Sequence, residues 1–508
     1  MGTAGARGPT AAGAGMLKNL LAHTSKYTLG TLLVTLAGFI SFPIFTRIFS
    51  VNEYGILSLI ATTLLLGVGV AKCGMQHAIV RFYGEVRAGK RDVSEAGFLS
   101  TVVLGMGMLG LGVTVVWVLA GGFIPAHWWE DERVRSLLLL TCVLVVVRVI
   151  DSGLLNVLRA QERSGAYSIY SVARRYLTLG LILLTVFFVL PGLRGFYAAT
   201  IAAEIVAVVL LGAWLFRTKP IRWGVFSTPL FRAMLAFGIP MAAYEVSGII
   251  FSFGDRYIIQ FMLGGAALGA YSAAYNLCEY VNSIMIESFS LALIPMFVRS
   301  WEEQGSAPTR RFVEESLHFY ILVTAGVVAG LAAVGGDLLR LLASEKYDAG
   351  AEVVSYVVAG MALGGVSSLL SAGLYIHKKT GVLMLLVAAA TALNLVLNVM
   401  LIPPFGIKGA AIATLVSYAV LALLMLAVSR RRFPITVPWL QTGKFVLLAT
   451  LMYFSVQQVR IDVPVAKLLV QIALGAAVYG ILVVVCDRRS RAIATDTAAR
   501  FSVLGAKS

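Results

Sequence analysis

Charge is what this chain has least of. Only 13% of its 508 residues are charged, about half the roughly 25% usual in soluble domains, while 59% are hydrophobic and the mean hydropathy is +0.87. A water-soluble globular protein is excluded. Cysteine is scarce too: Cys73, Cys142, Cys278 and Cys486 lie in or beside apolar runs with no paired spacing, so neither a disulfide framework nor a zinc site is expected. No Gly-rich phosphate loop followed by Lys-Ser/Thr is present, so the chain is not expected to be its own ATPase. The first fifteen residues are Gly/Ala-rich without an apolar core, which speaks against a cleaved signal peptide. Met16 is a possible alternative start, and Met16 to His23 reads as an amphipathic helix lying on the membrane.

What is present instead is a series of apolar runs long enough to cross a bilayer. They predict an all-α polytopic membrane protein of about fourteen helices. The spans fall at roughly 28–48, 55–77, 97–120, 134–156, 168–190 and 196–215, then 233–254, 267–295, 312–333, 351–373, 382–402 and 410–429, with a terminal pair at 441–459 and 466–486. The expected organisation is a flexible N-terminus and interfacial helix (1–27), an N-lobe (28–215), a cytoplasmic linker (216–232), a C-lobe (233–430), the terminal pair (431–486) and a cytoplasmic tail (487–508). The longest outer loops, at 334–350 and 121–133, leave no room for a folded extracytoplasmic domain. A membrane polymerase or glycosyltransferase would need one, or a cytosolic domain, for its carboxylates and sugar nucleotide.

The two lobes are copies. Gly192-Leu-Arg-Gly195 recurs 214 residues later as Gly406-Ile-Lys-Gly409, and Ala199-Thr200 recurs as Ala413-Thr414. The same shift carries Gly55 and Ser58 onto Gly269 and Ser272, and Arg163-Ser-Gly165 matches Lys379-Thr-Gly381 at a shift of 216. Six spans per copy is an even number, so both lobes insert the same way and are related by an axis along the membrane normal. In an apolar chain such a duplication points to a transporter. Of the 41 Lys and Arg, 27 fall in the termini and the loops after even-numbered spans, 10 in the opposite loops and 4 inside spans. The net charge of +16 is therefore read as a positive-inside bias with both termini cytoplasmic, and no nucleic-acid partner is expected.

Lys72, Arg148, Asp151, Arg174, Arg175, Glu204, Glu245 and Glu279 fall inside spans. A lipid-facing charge near the bilayer centre costs about 2.5–3.5 kcal/mol, so these residues must be paired, near an interface or lining a wet cavity. Arg148 and Asp151, three residues apart, can pair with each other. Lys72, Arg174 and Arg175 lie near the cytoplasmic face, where snorkelling is open to them, and Glu204 can be a rim residue. Glu245 and Glu279 are mid-span, and Asn276, Glu279 and Asn282 share one helical face, as a wet wall would. Asn394 and Asn398 read as glue between helices. The first lobe thus presents Lys72, Arg148 and Arg174 as bases for an anionic substrate headgroup. Glu245, Glu279 and Asp151 are candidates for coupling to H+ or Na+, and no other cofactor is expected.

Arg47-Ile-Phe-Ser-Val-Asn-Glu-Tyr-Gly55 resembles the R-x-L-G-P-E-E-Y-G signature of polysaccharide biosynthesis flippases. Arg81-Phe-Tyr83, Asp255-Arg256 and Gly269-Ala-Tyr-Ser272 resemble the same family, within the multidrug/oligosaccharidyl-lipid/polysaccharide exporter superfamily. The resemblance implies a multi-pass flippase of the bacterial inner membrane that moves undecaprenyl-pyrophosphate-linked oligosaccharide by alternating access, its pyrophosphate held in a cationic cavity while the lipid tail stays in the bilayer. It adds Arg47, Arg81 and Arg256 to the substrate-binding set. Partners would be the lipid-linked oligosaccharide, membrane lipids and polymerase or assembly proteins, with the chain a monomer. Phe49-Ser50-Val51-Asn52 departs from the signature and leaves its turn geometry open.

The rival readings are a cation-coupled drug exporter or a lipid II flippase of the same superfamily, and, from another class, a non-transporting subunit of an envelope assembly complex. A major facilitator transporter fits less well, because Val86 stands where that group's basic loop carries an acid. The loop charges generate a topology test. In a cysteine-free background, single cysteines at Asp92, Glu303 and Ser508 are expected to resist a membrane-impermeant thiol reagent in intact cells, and cysteines at Glu130 and Lys346 to react. The reverse labelling pattern would overturn the orientation.

Overall fold

In hydrocarbon no water is available to the backbone, so a chain this apolar must satisfy its own N–H and C=O groups in helices or a closed barrel. The computed structural model describes residues 11–123, 131–217, 221–284, 288–431 and 433–491, and every regular element among them is helical. In chain order these are α1 (Ala11–Ile48), α2 (Val51–Ala71), α3 (Met75–Arg87), α4 (Glu95–Phe123), α5 (Arg133–Thr141), α6 (Val143–Ala160), α7 (Ser164–Phe188) and α8 (Leu193–Leu215). They continue with α9 (Thr228–Phe253), α10 (Asp255–Asn282), α11 (Ser288–Gln304), α12 (Ser306–Ala343), α13 (Ala351–Leu370), α14 (Ala372–Ile376), α15 (Thr380–Arg430), α16 (Trp439–Gln457) and α17 (Pro464–Cys486).

Eleven segments among the described residues are long and apolar enough to cross a membrane, so the chain is a multi-pass membrane protein. Two of them, Thr228–Asn282 and Thr380–Arg430, run 55 and 51 residues. At about 1.5 Å per residue they would reach roughly 75–85 Å, more than twice a hydrocarbon core. Both are broken by a glycine outside helical geometry, Gly264 (φ 83°, ψ 177°) and Gly406 (φ 57°, ψ −144°). Counting each as two spans and adding the nineteen-residue α16 recovers the fourteen read from the sequence. The tail beyond Arg491 and the outer loop around Glu130 lie outside the described residues.

The duplication is written in the backbone. Gly192, which caps α8, has φ 88° and ψ −169°, the same extended, positive-φ class as its counterpart Gly406. At the other loop, Glu162 (φ 58°) and Lys378 (φ 56°) are left-handed non-glycine residues. They precede caps of nearly equal geometry, Arg163 (φ −85°, ψ 59°) and Lys379 (φ −93°, ψ 49°). The hydrogen bonds correspond too. Arg163 N–H donates to the Leu158 carbonyl at 2.9 Å and Lys379 N–H to the Leu374 carbonyl at 2.8 Å. One helix ending is thus built twice, 216 residues apart.

By packing, the chain forms two units: Met1–Ser41 with Leu59–Ile250, and Phe42–Ser58 with Phe251–Ser508. In the first, α4, α6, α3, α7 and α8 pack on one another through small residues. A Cβ on Gly153 would press on Met106, and one on Gly110 would stand 3.1 Å from the Val146 backbone. In the second, α13 packs along α15 and α12 lies between α13 and α16. Asn394 and Asn398 do not bridge helices as expected. Asn398 donates to the backbone and side-chain oxygens of Asn394, at 2.8 and 3.0 Å, within α15, because four residues apart each is the other's nearest polar neighbour.

The segment 42–58 is held in the second unit at two places, with a local turn between them. Arg47 donates to the Leu341 and Leu342 carbonyls, each at 2.7 Å, capping the C-terminus of α12. Ser50 and Glu53 form a reciprocal capping box, with Ser50 N–H to Glu53 at 3.0 Å and Glu53 N–H to Ser50 at 3.2 Å. This supplies the turn that the departure from the family signature left open. Finally, the start of α2 crosses α10 at a pair of glycines. A Cβ on Gly55 would overlap the Gly265 carbonyl and one on Gly269 the Val51 carbonyl, while Ser272 donates to Ser58 at 2.7 Å. Residues 51, 55 and 58 are the repeat counterparts of 265, 269 and 272, so the contact is isologous, as at a local two-fold axis.

Gly192 and Gly406 have open space where a Cβ would stand, as does the helical Gly180. Any penalty at the first two is therefore conformational. Gly192→Ala and Gly406→Ala are expected to destabilise by about 1–3 kcal/mol each, and Gly180→Ala to be neutral or stabilising. Thermal unfolding midpoints in detergent check this ordering.

Candidate functional site

The second span breaks midway. α2 ends at Ala71 and α3 begins at Met75, with Cys73 (φ 45°) and Gly74 (φ 69°) both left-handed between them. Gly74 fits because its missing side chain admits the Gly238 backbone of α9, and Pro240 follows in α9, removing one backbone donor there. The break aims two side chains at Glu245. Lys72 Nζ donates to Glu245 Oε1 at 2.8 Å, and Gln76 Nε2 donates to Oε2. The Lys72 and Glu245 side chains are 17% and 25% exposed, so the pair is largely withdrawn from its surroundings.

A second cluster lies on α6, α7 and α8. Arg148 grips Glu204 with both arms, Nε to Oε2 at 2.9 Å and Nη2 to Oε1 at 2.8 Å, the fork that makes arginine strong toward carboxylates. One turn along α6, the buried Asp151 accepts from the Tyr170 hydroxyl at 2.5 Å and from Arg174 Nη1. The expected pair of Arg148 with Asp151 does not form. Each residue finds a better partner on a neighbouring helix, since within one helix the two cannot meet head-on while α8 presents Glu204 squarely to the guanidinium. Lys72, Arg174 and Glu204 are thus each engaged in an ion pair between helices.

The three bases proposed for the first lobe, Lys72, Arg148 and Arg174, thus each face one carboxylate, Glu245, Glu204 and Asp151. Glu245, read from the sequence as part of the C-lobe, lies in the first unit beside Lys72. Gln76 and Tyr170 complete the clusters, and no spacing in the sequence pointed to either.

The residues assigned by family resemblance lie elsewhere. Arg47 caps α12. Arg81 stacks on Phe237 at 4.5 Å and pairs with Glu85 at 3.5 Å. Arg256 is 3% exposed, lies over Phe253 and Tyr275 at 4.5 and 4.7 Å, and leaves Nε and Nη1 without a hydrogen-bond partner among the described residues. Its neighbour Asp255 accepts from Tyr271. Glu279 is half-buried on α10, one turn beyond Asn276, which donates to the Tyr54 hydroxyl at 2.9 Å. No group of three or more His, Cys, Asp or Glu suited to a metal occurs among the described residues.

Removing one member of a withdrawn pair strands the other. Arg148→Ala is therefore expected to cost about 3–5 kcal/mol, whereas Arg148→Met with Glu204→Leu is expected to be near neutral. Unfolding midpoints of the single and double variants, at matched expression, measure the difference.

Comparison with known proteins agrees with the resemblance read from the sequence. Residues 20–301, more than half of the chain, match the family model described as polysaccharide biosynthesis protein. The chain is 23% identical over 177 residues to the probable low-salt glycan biosynthesis flippase Agl15 of Haloferax volcanii, covering 35% of this chain and 37% of that one. It is 23% identical over 243 residues to the uncharacterized membrane protein YabM of Bacillus subtilis, covering 44% of each. It thus spans less than half the length of these curated relatives. Its fold is similar to that of the lipid II flippase MurJ in an inward closed conformation, with a TM-score of 0.75, 15% identity, and coverage of 91% of this chain and 99% of that one. It is also similar to an inward-facing multidrug resistance MATE family transporter of the MOP superfamily, with a TM-score of 0.65, 14% identity, and coverage of 82% and 95%. With its all-helical fold, its in-span charges and more than half its length matched, the chain belongs to the polysaccharide biosynthesis protein family.

Proposed function

We propose that this protein is a flippase that carries an undecaprenyl-pyrophosphate-linked oligosaccharide across the bacterial inner membrane by alternating access, with both termini in the cytoplasm. The observation that carries the reading is the set of three base–carboxylate pairs inside spans of the first unit. A scaffold has no use for six charges held out of water, whereas a carrier of an anionic headgroup does. Family membership supports the cargo class, and the Haloferax relative, a probable low-salt glycan biosynthesis flippase, points the same way. The MurJ likeness favours a second reading, transport of lipid II, which differs in the sugar and shares the pyrophosphate.

The pairs suggest how cargo binds. A pyrophosphate reaching Lys72 competes with Glu245, and one reaching Arg148 or Arg174 competes with Glu204 or Asp151. Protonating a carboxylate releases its base, so proton uptake and anion binding reinforce one another. This gives Glu245 and Asp151 an ion-linked role in which H+ is the coupling ion, and Glu279 is the remaining mid-span candidate.

Purified protein in liposomes, given fluorescent polyprenyl-pyrophosphate oligosaccharide, lipid II or ethidium in parallel, tests the reading. The oligosaccharide is expected to move, and movement of ethidium alone would overturn the proposal. Lys72→Ala is expected to weaken cargo binding about 10- to 100-fold, the worth of a charged hydrogen bond of roughly 1.5–3 kcal/mol. Lowering pH on the loading side is expected to strengthen binding in the wild type and to have less effect in Glu245→Gln, where Lys72 no longer faces a carboxylate. Binding that weakens on acidification would sink the proposed linkage.

A further inference from the structure

The second unit contains a cavity of about 570 Å³ between α12, α13, α15 and α16, within the roughly 300–1,000 Å³ usual for ligand pockets. Small side chains from all four helices, among them Ala325, Ala359, Ala422 and Ala449, open it. Its three threonines offer a ligand little. Thr324, Thr442 and Thr450 each donate to a carbonyl one turn back on their own helix, those of Tyr320, Pro438 and Val446, at 2.8, 3.0 and 2.8 Å. A sugar or pyrophosphate would be left without partners there, and burying an unpaired polar group costs on the order of 1–3 kcal/mol. The lining suits a hydrocarbon chain.

One end of the cavity is charged. Ala419, Ala422, Leu423 and Leu426 line it from α15, and the same helical stripe continues one turn on to Arg430, the last residue of the helix. Arg430 and Arg431 are exposed and pair with no described residue, whereas the nearby Arg310 is taken by Glu314 at 3.0 Å. Trp439, which opens α16 and lines the cavity at this end, is 59% exposed. A tryptophan and free arginines at the end of an apolar slot are the chemistry of a bilayer interface that receives an anionic headgroup.

We propose that this cavity is a binding site for an anionic phospholipid, one acyl chain in the alanine-lined slot and its phosphate at Arg430 and Arg431. The arginines stand at one end only, which suits a lipid that stays in one leaflet rather than one carried across. The site is built from α12, α13, α15 and α16 of the second unit, shares no residue with the paired charges of the first, and does not depend on the transport reading.

The test is lipid binding by the purified full-length protein, counted by native mass spectrometry and by the shift in unfolding midpoint. The probes are dioleoyl-phosphatidylglycerol, dioleoyl-phosphatidylcholine and undecaprenyl phosphate. Phosphatidylglycerol is expected to bind at least about tenfold more tightly than phosphatidylcholine and to raise the midpoint. Arg430→Ala with Arg431→Ala, which disturbs no packing, is expected to abolish that preference. Ala422→Leu, which fills the slot, is expected to weaken both phospholipids about tenfold, and Ala449→Leu replaces it if that variant does not fold. Equal binding of the two phospholipids, unchanged preference in the arginine variant, or displacement of phosphatidylglycerol by equimolar undecaprenyl phosphate would each overturn the proposal.

Discussion

A charge inside a bilayer must find its counter-charge within the protein, and this requirement organises the first unit. Three of the bases in its spans, Lys72, Arg148 and Arg174, each face one acid. The partners come from different helices, so the pairs set which faces of α2, α6, α7, α8 and α9 turn inward. The left-handed break at Cys73 and Gly74 lies between Lys72 and Gln76, which both reach one carboxylate. An unbroken helix would also hold Lys72 and Gln76 one turn apart. The break further admits the Gly238 backbone, and with it α9, close enough for a lysine to reach Glu245.

Backbone geometry and charge have diverged at different rates between the two repeats. The helix ending at Glu162-Arg163 is rebuilt at Lys378-Lys379, and the positive-φ turn at Gly192 is rebuilt at Gly406. The charges are not. With the shift of 216 found at the Glu162 turn applied to Arg148 and that of 214 found at Gly192 applied to Glu204, Arg148 corresponds to Gly364 and Glu204 to Tyr418. In the second unit those two residues also meet: a Cβ on Gly364 would stand 2.9 Å from the Tyr418 ring. An ion pair in one copy is thus a ring packed on a glycine in the other, at the same crossing. Asp151 and Arg174 correspond to Ser367 and Ala390. The crossing belongs to the fold, and the charge belongs to the first copy alone.

The sequence made the spans legible because length and hydropathy decide them, and the duplication because turns that need glycine keep glycine. It located the charges in lipid but not their partners. The i, i+3 spacing of Arg148 and Asp151 offered a local pair, whereas the observed partners depend on which helix faces which, and that is decided over the whole unit. Left-handed Cys73, Glu162 and Lys378 carry no residue-type signal, since their strain is borne by tertiary packing. Ser50 and Glu53 had the spacing of a capping box, and the turn it forms has a purely local cause. Arg47 shows the opposite case: a motif residue whose side chain, in this conformation, fastens the second span's entrance to the end of α12.

Balanced pairs also bear on the energetics of a carrier. An empty site in which every base holds a carboxylate is electrically neutral, so returning it unloaded moves no charge across the membrane. Under the proposed function, a pyrophosphate that takes the place of the carboxylates would add negative charge, and even with one accompanying proton the loaded site would remain negative. A potential that is negative in the cytoplasm then favours outward movement by about 2.3 kcal/mol per elementary charge per 100 mV, while leaving the return of the neutral empty site unaffected. Pairing inside the spans therefore does more than lower the cost of burying charge. For an anionic cargo it makes the loaded and empty states respond differently to the same field, which is the asymmetry a carrier without ATP motifs requires in order to run in one direction.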